Sequence, residues 1–155
     1  MDPLREHVVA LLRGGQAYET FEQIVPEFTP EQRGLVPPGA ENSAWQILEH
    51  MRVCLRDILD FSQNEDYIEP PMEDYWPSSP LPSPEAWDKS VRAYLADIAE
   101  MERLVLDESR DLYEPFPWGD GQTLLREALV AADHAAYHLG QLVELKRWLE
   151  NAGAR

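Results

Sequence analysis

Apolar residues recur at spacings of three and four along four long stretches of the chain, and no stretch sustains the strict alternation of a strand. The first predicted helix runs from about Pro3 to Val25, with Leu4, Val8, Leu11, Gly15 and Tyr18 on one face. Pro3 suits a first helical turn and Pro26 a stop. After the loop PEFTPEQRGLVPPGAEN, a second helix is predicted from about Ser43 to Phe61. Ile47, Met51, Cys54, Ile58 and Phe61 form its core-facing stripe. The segment SQNEDYIEPPMEDYWPSSPLPSP holds six prolines and cannot be regular helix. A structureless loop of roughly 20 residues in a small domain either covers a site or is a passive crossover. Its Tyr67, Tyr75 and Trp76 favour packing against the body of the protein.

The third helix opens on Ser83 as N-cap, Pro84 in the first turn and Glu85 beside it. Its stripe is Trp87, Val91, Tyr94, Ile98, Met101 and Val105. A loop with a GDG turn leads to the last helix, predicted from about Thr123 to Asn151 with Gly153 as C-cap. Two adjacent stripes run along it, Leu124–Ala128–Ala131–Ala135–His138–Leu142–Leu145–Leu149 and Leu125–Leu129–Ala132–Ala136–Leu139–Val143. Burial on more than one side is the consequence, with Ala and Gly140 letting neighbours approach. Four helices with two long connections predict an all-α four-helix bundle, a fold that builds metal and cofactor sites from inward-facing side chains.

The chain is 155 residues long, which suits a single domain over 1–155. Its formal charge of −16 opposes nucleic acid and anionic membrane surfaces, both of which need clustered Lys and Arg. The lone Cys54 cannot form an internal disulfide and sits among apolar neighbours, as an unreactive buried thiol would. With no signal-like N-terminus and no apolar run of membrane-spanning length, the expected location is the cytoplasm.

Only four histidines occur, His7, His50, His134 and His138. His134 and His138 lie in ADHAAYHLGQ at i and i+4, about 40° apart around a helix and one turn apart along it. Their Cβ atoms are then about 6 Å apart, so both rings can reach one ion. His50, between Ile47 and Cys54 at helical spacing, points inward from a facing helix. Three buried imidazoles without partners would forfeit hydrogen bonds and repel one another when protonated; a shared cation uses their neutral lone pairs instead. The competing reading is three hydrogen-bonded core histidines. His7, beside Arg5 and Glu6, reads as a surface residue.

SAWQILEHMRVCLRDILDF, followed much later by GDGQTLLREALVAADHAAYHLGQLVELKRWL, resembles the DinB-like family of small metal-binding bundles. The resemblance covers nearly the whole chain. It implies an up-up-down-down bundle, a homodimer, and a divalent metal, nickel or zinc, held by His50, His134 and His138. Some members are metal-dependent S-transferases or isomerases that use a low-molecular-weight thiol.

Two functions compete. One is a metalloenzyme acting on a small-molecule substrate, since three neutral histidines leave a coordination position open. The other is a non-catalytic, metal-stabilised bundle with a structural or interaction role. Asp57 and Gln141 lie on the ligand faces, where each could hold a ligand's second ring N–H or a bound water, or simply face solvent or pack. Trp76, Tyr113, Phe116 and Trp118 are candidates for the apolar lining of a mouth, or else core lids or a dimer surface. Arg52, Arg56, Arg110 and Arg126 are available to a thiol bearing carboxylates, or are ordinary surface cations. No general base stands out.

Overall fold

The computed structural model describes residues 2–153 and is helical throughout, with one isolated bridge between Pro115 and Thr123 among the described residues. Helix α1 spans Pro3–Arg13, a short α2 spans Phe21–Ile24, α3 spans Ala44–Gln63, α4 spans Pro84–Leu106 and α5 spans Leu124–Gly153. The caps are those that the side chains dictate. Ser43 accepts from the Gln46 amide while the Gln46 side chain accepts from the Ser43 amide, and Ser83 accepts from the Ala86 amide ahead of Pro84.

The first helix is shorter than its apolar spacing predicts. Gly14 and Gly15 both take positive φ, 72° and 74°, which ends α1, and the chain restarts at Thr20 in a capping box with Gln23. The buried face of α1 is therefore Arg5, Val8, Val9 and Leu12, and Leu11 is exposed. On α3 the buried positions include Ile47, Leu48, Met51, Leu55 and Leu59, so the predicted stripe is rotated; Cys54, Ile58 and Phe61 lie half-buried at its edge. On α4, Trp87, Tyr94, Met101 and Val105 are buried as expected, joined by Leu104, Ser90 and Asp97. On α5, Leu124, Ala128, Ala131, Ala135, His138, Leu142 and Leu145 are buried, while Leu129 and Gly140 of the predicted contact surface are exposed. No neighbour lies within 4 Å of where a Cβ on Gly140 would sit, so this glycine admits no close helix. The predicted cap at Gly153 coincides with the last described residue of α5, and residues 154–155 lie outside the described residues.

Helix directions emerge from which residues meet. Ser90 donates to Glu49, and Arg56 pairs with Asp97, so α3 and α4 run parallel. Arg5 donates to the carbonyls of Val105 and Asp107, and Phe21 stacks on Tyr94 at 4.4 Å, so the first arm runs antiparallel to α4. His50 meets His134 while Ile47 lies with Leu145 along one groove, so α5 runs antiparallel to α3. The order is up-down-down-up rather than the expected up-up-down-down. Only the Pro-rich crossover carries the chain back along the bundle, where α3 needs about 30 Å to be spanned. The longer first connection folds locally around α2 and does not cross. The core between the four long helices is closed by Leu48, Leu59, Met101, Leu104 and Leu142, all fully buried. No described helix is long and apolar enough to cross a membrane.

Candidate metal centre

His50 projects from the second turn of α3, one helical turn before Cys54, and His134 and His138 project from successive turns of α5. Antiparallel packing of α3 on α5 brings the rings together. His50 Nε2 lies 3.2 Å from His134 Nε2, and His138 Nε2 lies 3.0 Å from the same atom. The three form a cluster in which a ligand atom from each lies within 4.8 Å of the others. His138 is 4% exposed, and the other two are half-buried.

The far side of two rings shows where the protons are. His50 Nδ1 lies 2.8 Å from the carbonyl of Tyr75, which can only accept, so Nδ1 carries the hydrogen and Nε2 a lone pair. His138 Nδ1 lies 2.7 Å from Gln141 Oε1, and the Gln141 amide nitrogen donates to Tyr137 Oη at 3.2 Å. His138 Nε2 is again a lone pair. Both lone pairs face His134 Nε2, which has at most one hydrogen to offer. At least one contact is therefore lone pair against lone pair, an arrangement that hydrogen bonding cannot satisfy and a cation can. Nitrogen ligands about 2.0–2.1 Å from one ion sit about 2.9 Å apart at right angles and about 3.4 Å apart at tetrahedral angles. The observed 3.0 and 3.2 Å fall inside that range. The donor set fits a metal ion.

Electrostatics agree. Burial, then repulsion from His138 and His50, pushes the His134 imidazolium pKa down to about 4. Burial also lowers His50 and His138, opposed by the Tyr75 carbonyl and by Gln141 respectively. The rings are held neutral, the form that ligates. Cys54 Sγ lies 3.6–3.7 Å from the two ring nitrogens of His50. Its thiol is pushed up to about 12 by burial and the Asp57 charge. It stays protonated, as the expected unreactive thiol does, although half-buried.

The other sequence candidates are placed unevenly. Gln141 meets His138 through the Nδ1 contact just described. Asp57 does not touch a histidine: its two oxygens accept from Tyr67 Oη and Tyr75 Oη, each at 2.8 Å. Both phenols are held above their ordinary range, by burial first and then by this carboxylate, so they remain donors. Trp76 stacks on His50 with centroids 3.8 Å apart and planes 6° from parallel. Phe116 and Trp118 instead stack on each other and close the end of α3, where Trp118 Nε1 donates to the Phe61 carbonyl. Tyr113 is 65% exposed. The four arginines are engaged with carboxylates: Arg52 with Glu49, Arg56 with Asp97, Arg110 with Asp107 and Arg126 with Glu127. His7 is exposed. Tyr137, next to His138 in the chain, packs edge-on against its ring at 4.9 Å. The Tyr75 carbonyl is the partner that sequence reasoning missed; the aromatic residues of the Pro-rich segment were the only signal for it.

Such a chain is an all-α bundle with a three-histidine cluster suited to a metal ion. The family model of the DinB superfamily matches residues 15–142, a span that includes the three histidines, Asp57 and Gln141. The chain belongs to the DinB superfamily. No curated protein and no solved structure matches it.

Proposed function

We propose that the protein is a divalent-metal-dependent enzyme that transfers a low-molecular-weight thiol, or a related small nucleophile, to an electrophilic substrate. The observation that carries this reading is a cluster of three neutral imidazoles with no carboxylate or thiolate among its members. Structural zinc sites are closed by four protein ligands, whereas three leave a position for a reactant. A divalent ion held by His50, His134 and His138 would supply Lewis acidity to whatever occupies that position.

The chain's own groups support binding next to the centre. Tyr137, Gln141, Ile47, Leu145 and Trp148 line a groove of about 500 Å³ that adjoins His138 through Gln141. Tyr137 and Trp76 pack against the rings of His138 and His50 respectively. None of the four candidate arginines lines this groove, whereas Glu41 and Glu144 do, so a thiol used here is recognised through its apolar, uncharged polar or cationic parts rather than through carboxylates.

The test begins with tag-free protein, because a polyhistidine tag would bind metal itself. Elemental analysis should find one divalent ion per chain, and a panel of thiols with electrophiles should show turnover that His138→Ala abolishes with the helical content intact. One ion per chain without turnover across the panel would refute the enzymatic reading in favour of a metal-stabilised structural bundle.

A further inference from the structure

The crossover between α3 and α4 lies over the metal centre as a strap, yet it is not held there by apolar burial along its length. Ile68 is 84% exposed, Met72 76% and Leu81 63%. What ties its central part down is polar. Tyr67 and Tyr75 each donate to a different oxygen of Asp57, which stands on α3 two turns beyond His50. Farther along, Ser43 donates to the Pro80 carbonyl at 2.6 Å and secures the strap's exit. Between the Asp57 pin and that exit lie the two groups that seat His50: the Tyr75 carbonyl, which receives its Nδ1 hydrogen, and the Trp76 ring stacked on its face.

His50 is the one cluster member supplied by α3, and its orientation depends on residues 75 and 76. The apolar side chains at 68 and 72 point to solvent, so besides the edge-on contact of Tyr67 with Phe61 at 5.1 Å and the seat of His50 itself, the Asp57 carboxylate is what ties this part of the strap to α3. If the strap lifts, the His50 ring is free to rotate about its side-chain bonds and its Nε2 leaves the cluster.

We propose that Asp57 is a positioning residue that pins Tyr67 and Tyr75, seats the strap on His50, and thereby makes strap closure and ion binding mutually dependent. The second half rests on the reading that the three histidines hold an ion. Linkage makes the dependence reciprocal: whatever factor the closed strap contributes to ion affinity, the ion contributes to strap closure.

The test uses the full chain and the double variant Tyr67→Phe/Tyr75→Phe, which keeps both rings and the Tyr75 carbonyl but removes the two hydroxyls. Subtilisin cleavage within residues 64–83, followed by intact mass, reads strap opening; competition with a chromophoric chelator reads zinc affinity. Saturating zinc is expected to slow strap cleavage of the wild type about tenfold. The variant should be cut about tenfold faster without metal and bind zinc about tenfold more weakly, the scale of a lost outer partner of a metal ligand. Helical circular dichroism should be unchanged, and Asp57→Asn, which leaves one acceptor oxygen, should fall between. Unchanged cleavage of the metal-free variant would overturn the pin. Unchanged zinc affinity, with cleavage accelerated, would overturn the linkage. Failure of the wild type to take up zinc would instead refute the ion-binding reading, which the metal-free cleavage rates do not depend on.

Discussion

Gln141 is the side chain through which the proposed metal site can be tested at one hydrogen bond. Its Oε1 accepts from His138 Nδ1 at 2.7 Å, which fixes the tautomer that leaves Nε2 free to ligate. A net hydrogen bond of this kind contributes about 0.5–1.5 kcal/mol, and losing an outer partner of a histidine ligand costs about 10–100-fold in metal affinity. Gln141 is exposed while His138 is 4% exposed, so water can reach the amide's position if the side chain is removed. Gln141→Ala should therefore lie at the low end, with zinc binding weakened about tenfold, or about 1.4 kcal/mol. Gln141→Leu keeps the bulk, excludes that water and leaves the Nδ1 hydrogen without an acceptor, so it should be weaker than the alanine variant. Chelator competition on tag-free protein measures both, and melting of the metal-free forms should shift little, as for a surface substitution. Two variants within twofold of the wild type, or leucine binding better than alanine, would refute the assignment of His138 Nε2 as a ligand.

The lowered histidine values set a pH window. His134 drops from 6.5 to about 4 on folding, so between those values the unfolded chain holds more protons than the fold. That contribution to metal-free stability is complete above pH 6.5 and is lost as pH falls towards about 4, which urea titrations across the range would show; stability rising on acidification would contradict it. Metal retention should move in the same direction, with release well below the ordinary histidine pKa rather than at it, checked by chelator-free dialysis at stepped pH. Leu48, fully buried on α3, should lose about 2–5 kcal/mol on substitution by alanine, measured by urea denaturation. Arg5 is buried and donates to the carbonyls of Val105, Asp107 and Arg110 at the end of α4. Arg5→Met should cost about 2–4 kcal/mol by leaving those carbonyls short of donors, and a loss below about 0.5 kcal/mol would show that water replaces them.

Much of this was legible in the residues because each signal was local. Ser83-Pro84-Glu85 starts a helix through cap chemistry that needs no tertiary partner, and His134 and His138 share a face through helix geometry alone. Gly14 and Gly15 were legible in principle, but the apolar spacing that runs past them to Tyr18 outweighed the break; the Thr20–Gln23 capping box was the overlooked sign that a new helix begins. The direction of each helix was not legible, since a long connection can cross the bundle or fold on itself, as residues 64–83 and 14–43 respectively do. At the centre, the three ring positions are set by spacing, whereas the acceptor for His50 is a backbone carbonyl contributed by a loop. A carbonyl has no residue type to announce it. Asp57 shares the His50 face of α3, yet its partners are two tyrosines that come close only because the strap folds back.

The most direct test of the central claim is X-ray absorption at the zinc edge on tag-free protein loaded with one equivalent of zinc. A three-histidine centre predicts three imidazole nitrogens at about 2.0–2.1 Å, with no sulfur, and a shell that changes when His134 is replaced by alanine. A sulfur neighbour at about 2.3 Å, or fewer than three imidazoles, would contradict it.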